Sequence, residues 1–399
     1  MRIVGIIAEY NPLHNGHLYH LQQAVEKANA SYTVVVMSGN FVQRGEPACT
    51  DKFTRAEWAL QAGADLVIEL PCVFSNSNAQ SFAEGAVRLL HATGVVTDLA
   101  FGCEQSSLSV LNELLDIIIH EPPEFKQCLR AHMRSGKSYP RARYDALEEL
   151  GVGQNALQEL VKPNNILAIE YLRTLKRLCS GIRPLPIERV GSGYNDAYLT
   201  GEFSSATAIR NAVMEGNMDV LKALPMFVSG PMKFDSQFPV TLNNIGSMML
   251  YKIRKMQPDE LRELPDVSEG FEQVLAAASR SCFDADSFFD AVKSKRYTLA
   301  RCKRIGMSAL LGITRDFQDK MKDDNGLYFR VLGIRKTARP LLSAIAANSD
   351  IPIILRNSDV GKCSDIAKQS LSIDAFSTDI LSYALQKELH KDSEAAIIL

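Results

Sequence analysis

Short apolar runs alternate with longer amphipathic stretches along the first two hundred residues. Ile3–Ala8, Thr33–Met37, Leu66–Leu70, Leu99–Gly102 and Leu185–Val190 have strand length and strand composition. The helical periodicity between them covers Gly16–Ala28, a stretch from Thr50 or Asp51 to about Ala62, and one from Ser77 or Asn78 to about Thr93. Parallel strands need crossovers of this length, so the pattern predicts an α/β fold with a Rossmann-like parallel sheet. Residues from about 107 to 180 read as inserted helices. The Pro-, Gly- and Ser-rich stretch Pro225–Pro239 marks a boundary, giving a first domain over 1–224 and a mainly α-helical C-terminal domain over 225–399. Within the latter, Tyr328–Gly333 and Ile351–Leu355 read as strands around a helix, and Asp374–Glu388 as a last helix.

Composition narrows the picture without naming a chemistry. The 399 residues carry a formal net charge of −2, so any nucleic-acid contact must come from a local basic surface. No apolar run reaches membrane-spanning length, and the eight cysteines include no C-x-x-C pair. Both features predict a cytoplasmic protein with reduced thiols, no membrane and no cysteine metal site.

Candidate chemistry concentrates where the first strand ends. Asn11-Pro12-Leu13-His14-Asn15-Gly16-His17 joins strand to helix. The unpaired N–H groups and dipole of a helix start favour an anion there. Gly16 admits a phosphate to the backbone, and His14 and His17 add donors. A metal reading of His14, His17 and His20 lacks a further ligand, so no metal site is expected. The second constellation is Ser204-Ser205-Ala206-Thr207 with Arg210, where hydroxyls cap a helix and a guanidinium can hold phosphate oxygens. Ser205, Thr207 and Arg210 thus offer a second grip on one triphosphate. Lys52 and Arg55, at the start of a helix where acidic residues suit the dipole better, read as a solvated face before they read as a hint of an anionic ligand.

The H-x-G-H pattern and the Ser-Ser…Ile-Arg segment together resemble the HIGH-type nucleotidyltransferase superfamily. The blocks N-P-L-H-N-G-H-L-Y-H, V-M-S-G-N-F-V-Q-R-G-E-P-A, G-A-D-L-V-I-E-L-P, K-P-N-N-I-L and Y-T-L-A-R-C-K-R resemble one of its families more closely, the bacterial tRNA(Met) cytidine acetate ligases. The resemblance implies a nucleotidyltransferase-type sheet and a two-step reaction. ATP and acetate would form acetyl-adenylate, and the wobble cytidine of elongator tRNA(Met) would take the acetyl group as N4-acetylcytidine. It also implies an ATP-binding stretch comprising Ile7, Ala8, Glu9, Tyr10, Asn11, Pro12, Leu13, His14, Asn15, Gly16, His17, Leu18, Tyr19 and His20. Gly102, one of Asn164 and Asn165, and Arg189 would add base, ribose or phosphate contacts, and His14 and His17 would be catalytic. Mg2+ is compatible with ATP chemistry, although no carboxylate cluster in the sequence marks its place.

The tRNA candidate is a basic block. Between Ala291 and Arg315 stand seven Lys or Arg residues and no Asp or Glu. Lys293, Lys295, Arg296, Arg301 and Arg304 would meet phosphates, and Tyr297 would stack on an unpaired base. Two alternatives remain open at this level. One is a nucleotidyltransferase making a dinucleotide-type or CDP-linked product from a small phosphorylated substrate, and the other is a non-catalytic tRNA-binding protein.

Overall fold

The structure, a computed structural model, describes residues 1–104, 108–191, 198–232, 238–268, 270–322, 326–389, 392 and 396–399. Its centre is a twisted sheet of five parallel strands in the order β5-β2-β1-β6-β7: β1 (Ile3–Ala8), β2 (Tyr32–Ser38), β5 (Leu66–Leu70), β6 (Asp98–Cys103) and β7 (Arg183–Glu188). A small antiparallel hairpin, β3 (Phe41–Val42) with β4 (Glu46–Pro47), follows β2. The alternation of side chains is visible in β2. Val34 and Val36 face one core and Val35 and Met37 the other, all fully buried, so both sheet faces are covered.

On one face lie α1 (Asn15–Ala28) and α2 (Lys52–Ala62). The other face takes the short α3 (Cys72–Ser75) and α4 (Ala79–Ala92). Asp51 caps α2 by accepting the Thr54 N–H at 2.9 Å, and Asn78 caps α4 by accepting the Ser81 N–H at 3.0 Å, which settles both alternatives left by the sequence. The inserted helices are α5 (Leu108–His120), α6 (Pro123–Arg134), α7 (Tyr139–Glu149), α8 (Gln154–Leu160) and α9 (Pro163–Arg177), of which α9 packs on α4. After β7 come α10 (Ala206–Met214) and α11 (Met226–Met232); residues 233–237 of the expected boundary stretch lie outside the described residues.

Beyond residue 238 follow α12 (Leu242–Lys255), α13 (Pro258–Arg262), α14 (Phe271–Ser281), α15 (Ala285–Val292), α16 (Leu299–Leu311) and α17 (Arg315–Lys320). The chain then returns to the sheet. β8 (Phe329–Ile334) pairs antiparallel with β5, α18 (Arg339–Asn348) crosses over, and β9 (Ile353–Ile354) pairs with β8. α19 (Asp365–Ala384) packs on α3 and α12, and β10 (Ile397–Ile398) adds the outer strand beside β8. A mainly helical region starting at 225 therefore needs one amendment: from Phe329 onward it extends the N-terminal sheet. Among the described residues no helix is long and apolar enough to cross a membrane.

Buried polar groups fasten the two halves. Asp374 on α19 accepts the Cys72 N–H at 2.8 Å and the Tyr328 hydroxyl at 2.6 Å. Lys52, expected on a solvated helix face, is instead fully buried, with its ammonium 2.8 Å from Glu69 and 2.9 Å from Asp392. The surrounding carboxylates raise the Lys52 pKa against the opposing effect of burial, so the ammonium stays charged. A charge out of water persists only when paired, and this one pairs a strand of the sheet with the C-terminal tail. Lys52→Met leaves Glu69 without its cation and Asp392 with Arg330 at 3.8 Å, and denaturant titration should show about 3–5 kcal/mol less unfolding free energy. The double variant Lys52→Met/Glu69→Gln should recover part of it.

Candidate active site

Strand order reverses at β1, since the chain builds β2 and β5 on one side of it and β6 and β7 on the other. Such a reversal opens a crevice at the carboxyl ends of the strands. Ile7, Ala8 and Glu9 line that cleft, and Tyr10 turns the chain with φ 47°, in the left-handed region. A tyrosine there costs on the order of 1–3 kcal/mol and must be over-determined by its surroundings. The Tyr10 ring is buried and meets His17 edge-on at 5.1 Å.

Arg55 holds the backbone beneath it. Its guanidinium, without solvent exposure, donates to the carbonyls of Glu9 (2.7 Å), Ser38 (3.0 Å), Thr50 (3.1 Å) and Gly39. Helix start and basic side chain suggested a solvated face; the unpaired carbonyls at the ends of β1 and β2 are what draw the guanidinium inward.

The two histidines are arranged by α1. His14 is its N-cap, and His14 Nδ1 accepts the Gly16 N–H at 3.1 Å while His17 Nδ1 accepts the His14 N–H at 3.4 Å. The rings stack with centroids 3.7 Å apart. An Nδ1 that accepts from an amide carries no proton, so the neutral His14 ring bears its proton on Nε2, while the His17 ring also bonds the Pro12 carbonyl. Burial, then the nearby Arg189 and Arg210, push His14 down to about 3, and burial and His14 push His17 well below its ordinary value. Both are neutral donors near pH 7, not cations. Burial also lowers His20 to about 4, and its Nε2 has no hydrogen-bond partner among the described residues.

The second constellation arrives at the same cleft. Ser205 caps α10 through the Ala208 N–H at 3.0 Å, while Ser204 sits just outside with its hydroxyl on the Gly201 carbonyl at 2.8 Å. Arg210 donates to the Asn11 carbonyl at 2.7 Å and lies 3.5 Å from the Thr207 hydroxyl. The bond to Asn11 ties the two sequence motifs together across 199 residues. Asn15 adds a second tie through its amide to the Glu202 and Lys222 carbonyls at 3.2 and 2.9 Å.

The third wall comes from β6, β7 and α9. Gly102 borders the cleft beside Arg189, whose guanidinium reaches Asn164 Oδ1 at 3.3 Å. Asn164 lines the cleft; Asn165 lies beneath it, buried, engaged by the Glu104 N–H at 3.2 Å and by Glu159 at 2.8 Å. Of the expected stretch, Asn11, Gly16, Tyr19 and His20 also line the cleft. Leu13 belongs to the apolar core, and Pro12, Asn15 and Leu18 are not part of the lining. The sequence pattern did not single out the β3–β4 hairpin, whose Val42, Gln43, Arg44 and Glu46 complete the cleft, nor Phe101 and Tyr171, which form its apolar side. Only the block likeness around Gln43-Arg44-Gly45 hinted at the hairpin, because two-residue strands carry no periodicity.

The basic block is divided in its exposure. Tyr297 is 6% exposed, stacked on Phe271 at 3.6 Å, and its hydroxyl donates to the Ser268 carbonyl at 2.5 Å. That packing leaves it no face for a base, which corrects the expectation of stacking. Arg301 lies 4.0 Å over the Tyr297 ring and donates to the Asp266 carbonyl at 2.5 Å, and Arg304 pairs with the Asp266 carboxylate at 3.1 Å. Lys293 and Lys295 are exposed, the former with Asp290 at 2.6 Å, and Arg296 is partly exposed.

Comparisons agree with this geometry over nearly all of the chain. The profile of the HIGH Nucleotidyl Transferase family matches residues 1–396. A tRNA(Met) cytidine acetate ligase of Thermoanaerobacter sp. is 40% identical over 389 residues, 96% of each chain. One of Acetivibrio thermocellus is 38% identical over 391 residues, 95% of this chain and 94% of the relative. Among solved structures, apo Thermotoga maritima TmcAL superposes with a TM-score of 0.94 at 34% identity, and the same protein bound with alpha-thio ATP with 0.92, each covering 100% of both chains.

The neutral state of the histidines has a measurable consequence. If imidazolium held the nucleotide, ATP affinity would drop as pH rose past about 6.5, the ordinary histidine value; with neutral donors, the dissociation constant should stay flat from about pH 7 to about 8.5. Stability responds oppositely: the unfolded chain binds protons that buried His14 refuses, so stability is full above about 6.5 and is lost as pH falls toward His14's folded value of about 3. His14→Asn retains an acceptor for the Gly16 N–H but removes the Nε2 donor. It should keep the melting temperature close to that of the parent and lower ATP turnover by about 10²–10³-fold.

Proposed function

The chain belongs to the HIGH nucleotidyl transferase family and, within it, to the tRNA(Met) cytidine acetate ligases, and on that premise we propose that it joins acetate to tRNA at the expense of ATP. In this reading acetate attacks the α-phosphorus of ATP, pyrophosphate leaves, and the acetyl-adenylate is captured by the exocyclic amine of the wobble cytidine of elongator tRNA(Met). The products are N4-acetylcytidine and AMP.

The observation that carries the reading is the Arg210–Asn11 hydrogen bond, which brings both phosphate-gripping segments to one cleft. In-line attack at phosphorus needs little covalent help from the protein. It needs the reacting oxygens held in place and donors where charge develops. Two helix starts, the Nε2–H of His14, the stacked ring of His17, and the Arg189 and Arg210 guanidiniums meet that need around a polyanion. Phe101 and Tyr171 offer an apolar surface for a base, and Asn164 beside Arg189 offers amide contacts to it or to the ribose. A synthase using a small phosphorylated substrate would share the cradle, but would have no use for an exposed basic edge near α16. That edge, Lys293 to Arg296, supports RNA as the acceptor. The family reading and the reduced thiols of all eight cysteines support a cytoplasmic site of action.

Two measurements test this. Labelled acetate should appear in elongator tRNA(Met) only when ATP is present, with pyrophosphate released in step with acetate; label confined to a small phosphorylated product would overturn the ligase reading. Replacing Lys293 and Lys295 by Gln should weaken tRNA binding and reduce the log–log salt slope by roughly 0.7–0.9 for each phosphate no longer neutralised. Tyr297→Phe should cost stability and leave tRNA affinity as it was, since the ring is packed inside.

A further inference from the structure

One residue of the expected ATP-binding stretch carries a charge that a triphosphate would repel. Glu9 borders the cleft with a carboxylate, amid the fields of Arg210, Arg44 and Arg55. An anion beside Arg210, the cation here that would meet phosphate, weakens nucleotide binding, so the carboxylate calls for another partner. It is also fixed at both ends. The Glu9 carbonyl accepts from Arg55 at 2.7 Å, and Glu9 Oε1 accepts the Gln43 N–H at 2.8 Å. Oε2 takes no hydrogen bond among the described residues. Burial raises the Glu9 pKa, the direction that strengthens a carboxylate as a base near neutrality.

The position of Gln43 shows which side of the cleft Glu9 serves. Gln43 belongs to the β3–β4 hairpin, whose far side rests on α16. Gly45, with φ 75°, lies so close to that helix that a Cβ would fall 2.3 Å from the Arg304 nitrogen, and Lys303 pairs with Glu46 at 2.5 Å. Glu9 therefore stands between the nucleotide cradle and the half of the molecule that carries the basic edge.

We propose that Glu9 is the general base of the acyl-transfer half of the reaction, accepting a proton from the cytidine amine; the inference rests on the ligase reading above. The amine nitrogen attacks the acetyl carbonyl carbon, forming the C–N bond as the carbonyl electron pair moves to oxygen. When that pair returns, the bond between the acyl carbon and the adenylate oxygen breaks and AMP leaves with its electrons. The N–H proton passes to Glu9 Oε2 and from there to water. The same carboxylate discriminates cytidine from uridine. An amino group donates to it, whereas the carbonyl oxygen that uridine presents at that position would meet it lone pair against lone pair.

Glu9→Gln separates the two halves of the reaction while keeping an acceptor for the Gln43 N–H. Acetate-dependent exchange of labelled pyrophosphate into ATP reads the first half; single-turnover acetyl transfer to tRNA(Met) reads the second. Transfer should fall by about 10²–10⁴-fold, and by at least about tenfold more than exchange does. Glu9→Asp, a carboxylate one methylene shorter, should restore part of the transfer, and it carries the test if the Gln variant fails to fold. Equal loss of both halves would overturn the proposal, because the carboxylate would then serve nucleotide binding, and so would transfer at the parental rate. Absence of acetate-dependent exchange in the parent protein would refute the ligase reading itself.

Discussion

A single guanidinium underlies the site. Arg55 has no water to satisfy it, and its donors go to carbonyls at the ends of β1 and β2 and at the start of α2. Strand ends at a sheet's crevice leave such carbonyls unpaired, and in most folds water fills the need. Here one side chain does it, which fixes the left-handed turn at Tyr10 and with it the direction in which Asn11, His14 and His17 enter the cleft. A lysine could not replace it, since one ammonium lacks the planar fork that reaches several acceptors at once.

The electrostatics of the cleft follow from that arrangement. Arginines supply the positive charge, and burial beside them keeps His14 and His17 neutral. A neutral His14 ring whose Nδ1 is occupied by an amide can only offer Nε2–H. The capping of α1 and the orientation of the donors are thus one arrangement seen from two sides. In the proposed reaction positive charge would bind the polyanion and fixed donors would shape it, dividing binding and activation between residue types.

The C-terminal half is part of the same body as the cleft. β8 and β10 extend the sheet, Asp374 and Asp392 reach back to α2 and α3, and the β3–β4 hairpin sits between the cradle and α16. These contacts are polar and buried, so they demand partners in register and hold the two halves at a defined distance. A reaction that hands an activated group from a nucleotide to a large second substrate benefits from that rigidity, since effective concentration depends on where the acceptor is held.

Much of this was legible in the residues alone. The strand–helix alternation gave the parallel sheet because periodicity is a local property, and the turn from β1 into α1 gave the cradle because capping is local too. Ser205 and Arg210 were legible as a cap and a cation, but that Arg210 touches Asn11 is a fact of folding across 199 residues. The tertiary structure alone decided the fate of the charges. Lys52, Arg55 and Arg301 look like surface residues in a sequence, and what drew them inward was unpaired oxygen contributed by distant segments. Tyr297 was misread for the same reason, since the partners that bury it, Phe271 and Ser268, belong to another helix and the loop before it. The choice between Asn164 and Asn165 likewise depended on which face of α9 meets the cleft. A sequence states which groups need partners; only the fold supplies them.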